Sequence, residues 1–230
     1  MRPAPEPGRR EAADALKELP RLRLSDPLDF ACAGCGGCCR HRDDVVLSGY
    51  DLYRLARWTS LPPRMVAKAF CVAYAAPDTG MPVLRLRPDA KTRSCPFFEA
   101  NSCAVHPARP LACALYPLGQ AIDPDTGKVE YYLQPPLCGV PAGGRTLEQY
   151  LKDSGVADRQ GIDARWAVVC TQLTDRLLAA GGAEVPAVRM AGHRIADALY
   201  YDYSLREEFY PQFQQNLLAL EPVLNRLLSR

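Results

Sequence analysis

The chain has 230 residues, 48% of them hydrophobic, with 28 basic and 26 acidic side chains and a formal charge of +2. Such a composition suits one globular domain or two small ones and excludes wholesale disorder. Near-neutrality removes long-range attraction to nucleic acid or acidic membranes as an organising force. No run approaches the roughly 18 apolar residues of a membrane span.

In chain order, residues 1–24 read as a flexible tail with one short helix at 11–18. They contain no apolar signal core, and Glu6, Glu11, Asp14 and Glu18 argue against a mitochondrial transit segment. The expectation is a cytoplasmic protein with neither membrane nor nucleic acid as partner. Residues 25–143 form the expected cysteine-cluster metal-binding domain. Within it, Val45-Val46-Leu47 reads as a short strand. Ser48 then caps a helix running to about Thr59, with Asp51 in the capping-box position. Pro62 and Pro63 open a second helix, expected to end near Pro77 and to contain Cys71. VLRLR at 83–87 alternates as a strand does, and residues 119–123 and 129–133 pair across the turn-rich DPDTGK.

Residues 144–230 read as a helical C-terminal region. Ile162, Trp166, Val169, Cys170, Leu173 and Leu177 fall on one helical face, and Leu217, Leu220, Leu224, Leu227 and Leu228 mark another. AGG at 180–182 ends a helix, and His193 sits on one. Tyr200, Tyr201, Tyr203 and Tyr210 gather with Phe209 and Phe213. Acidic Asp202, Glu207 and Glu208 oppose nucleobase stacking there, so helix packing or a protein partner on the C-terminal helices is expected. The predicted fold class is α+β, mainly α: an irregular cysteine-rich core with short strands, followed by helices.

The ten cysteines are the anomaly, and nine lie between Cys32 and Cys138. In a reducing compartment clustered thiols bind metal more often than they form disulfides. Eight stand at ligand-like positions: Cys32, Cys35, Cys38, Cys39, Cys95, Cys103, Cys113 and Cys138. Four thiolates complete a zinc site or an iron–sulfur cluster. Cys71 and Cys170 lie in helical or apolar patterns and read as inert buried thiols. In an extended backbone the neighbours Cys38 and Cys39 would point to opposite sides and serve two centres, or flank one. Gly34, Gly36 and Gly37 permit the tight bends of a thiolate knuckle.

The spacing C-x2-C-x2-C at 32, 35 and 38 matches the first three ligands of a ferredoxin run, although the fourth position is Arg42. An iron–sulfur cluster, of the 4Fe–4S kind, therefore reads ahead of bound zinc or iron ions. Arg109, with a permanent charge and five donors, is expected beside a net-negative thiolate centre. Tyr116, His106 and His41 are expected around it rather than on the metal. Asp43 and Asp44 read as a solvated pair. No phosphate-binding loop, zinc-protease helix or nucleophile elbow is present.

The three blocks FACAGCGGCC, CPFFEANSC and VHPARPLACALYP resemble the YkgJ-type cysteine-cluster family over roughly residues 28–140. The resemblance implies a zinc- or iron-chelating domain whose ligands correspond to the eight cysteines named above. Arg109, Pro110, Tyr116 and Pro117 also match its pattern, whereas Ala114 stands where the family usually has arginine. A similar cluster occurs in flagellin lysine N-methylases, so the resemblance also allows a metal-dependent protein-modifying enzyme. A metal-stabilised interaction module is the third reading. The metal's role would be structural, redox or metal-handling.

Overall fold

A computed structural model describes residues 15–40, 44–123, 125–136 and 138–228. His41, Asp43 and the first residues of the helix expected at 11–18 lie outside the described residues; 15–17 are helical. The fold is α+β and mainly helical, as the patterning predicts.

Strand β1, Arg21–Leu22, pairs antiparallel with β8, Val129–Leu133, and β8 pairs with β7, Leu118–Ile122. The end of the stretch read as a tail is thus tied into a sheet. A second sheet has the order β2 (Val46–Leu47), β4 (Pro82–Leu86), β3 (Cys71–Ala75). A two-stranded hairpin joins β5, Phe98–Glu99, to β6, Ser102–Cys103.

Helix α1 spans Gly49–Thr59 behind the predicted capping box. The Ser48 hydroxyl accepts from Asp51 N–H at 3.0 Å, and the Asp51 carboxylate accepts from Ser48 N–H at 2.9 Å. Helix α2 starts at Pro63 as expected but ends at Phe70. The expected continuation to Pro77 is therefore corrected: Cys71 opens strand β3, which pairs along its whole length with β4. Val72 and Tyr74 favour a pleated surface, and a ready partner strand outweighs weak helix propensity. The Arg87 side chain fixes the junction by donating to the carbonyls of Lys68, at 3.0 Å, and Cys71.

The later helices are α3 (Leu111–Leu115), α4 (Leu147–Asp153), α5 (Val156–Ala179), α6 (Pro186–Ala196) and α7 (Phe209–Leu228). A π-turn at Asp197–Tyr201 follows α6. The predicted stripes are the packed faces. Val169, Leu173, Leu177, Leu220 and Leu224 are buried, and Ile162, Trp166 and Cys170 lie against them. Most of the aromatic concentration is also core, with Tyr203 stacked on Phe209 at 4.7 Å and Phe209 on Phe213 at 5.5 Å, whereas Tyr210 is exposed.

Two apolar cores result. One joins Leu47, Leu52 and Leu55 to Leu177, Ile195, Leu199 and Leu224. The other joins Leu28, Phe30, Leu115 and Leu118 to Leu147 and Tyr150. Both draw residues from either side of position 143. Each fully buried large side chain stabilises the fold by about 1.5–3 kcal/mol. Between the cores lies a buried ionic group in which Arg159 bonds Asp51 at 2.7 Å and Asp163 at 2.6 Å. Among the described residues no helix is long and apolar enough to cross a membrane.

Candidate metal centre

Four segments converge where the two cores meet. The first is anchored by an antiparallel bridge: Ala31 N–H donates to Val140 O at 2.8 Å, and Val140 N–H to Ala31 O at 3.0 Å. This bridge draws Cys32 and Cys138 together despite their separation in sequence. Gly36 then takes a left-handed conformation, φ 70°, and opens a 3-10 turn over Gly37–Cys39. That backbone conformation favours glycine. The space demands it too, because a Cβ on Gly36 would lie 2.1 Å from the Phe98 ring.

The turn corrects the expectation for the adjacent cysteines. It is not extended, so Cys38 and Cys39 do not point to opposite sides. Their sulfur atoms lie 4.0 Å apart. At Gly37 an added Cβ would meet Cys138 Cβ at 2.9 Å and its Sγ at 3.3 Å. Gly37 N–H donates to Cys35 Sγ at 3.4 Å, the kind of contact that tunes a bound centre.

The second segment is brought in when Cys95 N–H donates to Cys39 O at 2.8 Å. It continues into the β5–β6 hairpin, whose turn residues Ala100 and Asn101 both have positive φ, as a tight two-residue hairpin requires. The hairpin places Cys103 opposite Phe98. Arg40 lies over the Phe98 ring at 4.5 Å and donates to the Asn101 side chain at 2.9 Å.

The third segment carries His106, Arg109 and Cys113, and α1 holds it by three side chains from one helical face. Asp51 Oδ1 accepts from Leu111 N–H at 2.9 Å, Arg54 donates to Pro107 O at 2.6 Å, and Trp58 Nε1 donates to Ala104 O at 3.1 Å. Sequence reasoning missed these roles, although the spacing of Asp51, Arg54 and Trp58 places them on one helix face. Cys138, on the fourth segment, completes the set.

All eight predicted cysteines line two adjoining cavities. One, of about 170 Å³, is bordered by Cys39, Cys95 and Cys103, together with Cys32, Cys38 and Cys113. The other, of about 30 Å³, is bordered by Cys35 and Cys138, again with Cys32, Cys38 and Cys113. Arg109 faces both, His106 the larger and Tyr116 the smaller. The Arg109 guanidinium lies against the His106 ring. Tyr150, which carried no sequence signal, also borders the smaller cavity, and its hydroxyl meets the carbonyls of Ala114, at 3.1 Å, and Tyr116. Cys71 is buried in the apolar core and Cys170 packs against it, away from both cavities. Among the described residues no three His, Cys, Asp or Glu side chains form the compact shell of a single ion.

The thiols oppose one another's ionisation. The Cys39 thiol is pushed well above its usual range by its hydrogen bond to Cys38, by burial, and by Cys38, Cys95 and Cys103. Burial, then Cys35 and Cys38, raise Cys138. Burial raises Cys103, while the Val105 amide and Arg109 oppose that rise. His106 is lowered by burial and by Arg109, which favours its neutral ring. Crowded thiols of this kind lose their protons readily only when a cation takes their place.

Residues 31–139 match a family model described as "CxxCxxCC: Putative zinc- or iron-chelating domain". All eight cavity-lining cysteines fall within that match, in the segment where the resemblance placed them. No curated protein and no solved structure matches the chain. The match supports metal binding, with zinc or iron as the metal, and the donor set fits either. Soft thiolates suit both, and the absence of a side chain at Gly37 leaves room beside the Cys138 and Cys35 sulfurs.

Proposed function

We propose that the eight cysteines hold two thiolate-bound zinc or iron centres and that the metal's role is structural. The observation that carries this reading is the 4.0 Å separation of Cys38 and Cys39 Sγ. Two thiolates on one tetrahedral metal, each about 2.3 Å from it, stand about 3.8 Å apart. In a 4Fe–4S cluster each iron takes one of the four cysteines, so the neighbours' spacing favours a single metal ion, or one iron of a smaller cluster, over the 4Fe–4S centre expected from spacing alone.

The cavities suggest the division. Cys39, Cys95 and Cys103 border only the larger and Cys35 and Cys138 only the smaller, and the 4.0 Å contact pairs Cys38 with Cys39. We assign Cys38, Cys39, Cys95 and Cys103 to one centre, and Cys32, Cys35, Cys113 and Cys138 to the other. Arg109, facing both cavities, would offset the negative charge of each tetrathiolate set. The structural role is supported by how slight the ordered elements of the four segments are: a two-residue bridge, two 3-10 turns, a hairpin of two-residue strands and a five-residue helix. Metal binding then contributes directly to folding.

Elemental and sulfide analysis of protein purified without oxygen tests the reading, with Cys39→Ser and Cys138→Ser compared in parallel. Each variant is expected to lose one centre and keep the other, with the remaining metal held by wild-type spectroscopic signatures. Four irons and four sulfides per centre would refute the single-metal assignment. Wild-type metal content in both variants would refute the ligand set.

A further inference from the structure

A second site lies outside the cysteine region, on the free edge of a sheet. The order β2–β4–β3 leaves β3 unpaired on one side. Its register decides which backbone groups that side presents. Ala76 N–H donates to Met81 O, and Arg87 N–H to Phe70 O, both at 2.8 Å. Residues 70, 72, 74 and 76 therefore turn their backbone groups toward β4. Cys71, Ala73 and Ala75 turn theirs outward. At Cys71 both are used: its N–H bonds Ala67 O, and its carbonyl accepts from Arg87 Nε at 3.1 Å. Ala73 and Ala75 have no such partner among the described residues, and both are exposed. Natural sheets usually blunt a free edge with charge, proline or a bulge. This one presents alanine.

A cavity of about 680 Å³ opens beside that edge. Residues 73–77 form one wall, and His193, Ala196 and Tyr200, from α6 and the π-turn, stand in the other. Ala73 and Ala75 pair with Leu84 and Pro82, so their side chains share the face that β4 packs into the core. Short alanine side chains leave that face hollow at the edge. π-turns recur at functional sites, and this one lies directly against the hollow. An adjoining cavity of about 350 Å³ shares Arg64, Ala73 and Tyr201 and adds Lys68 and Arg87. Four permanent cations, Arg64, Lys68, Arg87 and Arg189, border the pair of cavities against two carboxylates, Glu184 and Asp197. Asp197 is already matched by Arg64 at 2.7 Å.

We propose that β3 and this hollow form a docking site for an extended, acidic segment of a partner protein. The segment adds a strand to β3 through the backbone groups of Ala73 and Ala75. Alternate apolar side chains enter the hollow, and acidic side chains between them face Lys68 and Arg87. Main-chain pairing supplies affinity and the alternating pockets supply specificity. A second copy of this chain is a poorer occupant. Its own β3 edge would bring the same cations into contact, and its alanines would leave the hollow unfilled.

The test uses the full-length, metal-loaded protein and a displayed hexapeptide library with apolar residues fixed at alternate positions. Enriched peptides are expected to carry Asp or Glu between those positions. A synthetic member should slow amide exchange at Ala73 and Ala75 at least tenfold and leave Tyr74, already bonded to β4, unchanged. Ala75→Pro removes one outward N–H and no bond to β4, a change that edge strands tolerate. It should weaken binding at least tenfold with metal content intact. Should that variant fail to fold, Ala73→Leu, which fills the hollow, serves the same purpose. Equal enrichment on the Ala75→Pro protein, protection of other amides, or self-association through β3 in sedimentation would overturn the proposal.

Discussion

The apolar core around α1, α5 and α7 and the cysteine region beside it are held together by different physics. In the first, Leu52, Leu55, Leu199, Phe213 and Leu224 are almost wholly removed from water, and contacts are many and non-directional. In the second, the ordered elements are two 3-10 turns, two strands of two residues and a helix of five. Its contacts are few and directional: single amides, one arginine against a carbonyl, glycines that leave room for sulfur. Burial tolerates modest change at any one point, whereas directional contacts around a polar centre do not. The two regions should therefore fail separately, except where one residue serves both.

Asp51 is that residue, and the largest effect is expected there. One oxygen of its carboxylate caps α1 through Ser48 N–H, and the other accepts from Leu111 N–H and from buried Arg159. Removing one partner of a buried ion pair costs about 3–5 kcal/mol, because the remaining charge is left uncompensated. Asp51→Ala should lower stability by that amount in urea unfolding and also reduce metal content, since Leu111 begins the helix that carries Cys113. Full metal occupancy in a destabilised Asp51→Ala protein would show that the Leu111 contact does not position the thiol.

Phe213→Ala should separate the regions. Phe213 is fully buried between Phe209 and Trp166, and truncating a buried phenylalanine costs about 3–5 kcal/mol. The expected result is a lower unfolding midpoint, with metal per folded protein unchanged below the transition. Metal loss before the unfolding transition would mean that the cysteine region depends on the apolar core more closely than its contacts imply.

The same contrast explains what could be read from sequence. The capping box at Ser48 and Asp51, the 83–87 strand, the pairing across DPDTGK and the two leucine-rich stripes rest on periodicity and local chemistry, and the fold keeps them. The helix expected through Cys71 fails because α2 and β3 differ little in local preference, and the decision belongs to the distant strand β4. In the site, thiols are legible because few residues share their chemistry. The expected opposite orientation of Cys38 and Cys39 fails because a 3-10 turn, not an extended strand, carries them. Tyr150, Arg54 and Trp58 reach the site through tertiary packing, and their residue types occur throughout the chain.

The smallest expected effect defines where the cysteine region ends. Cys170 carries the same chemistry as the eight cavity-lining thiols, but it sits on α5 in the apolar stripe. Cys170→Ala removes one partly buried sulfur from a packed helix face. The expected cost is about 1 kcal/mol or less, within the ordinary range for such a substitution. Metal content and the spectrum of the bound centre should match wild type. If the variant instead loses metal in proportion to Cys39→Ser, the centre extends to α5, and the division between a core held by burial and a region held by directed sulfur contacts no longer describes this fold.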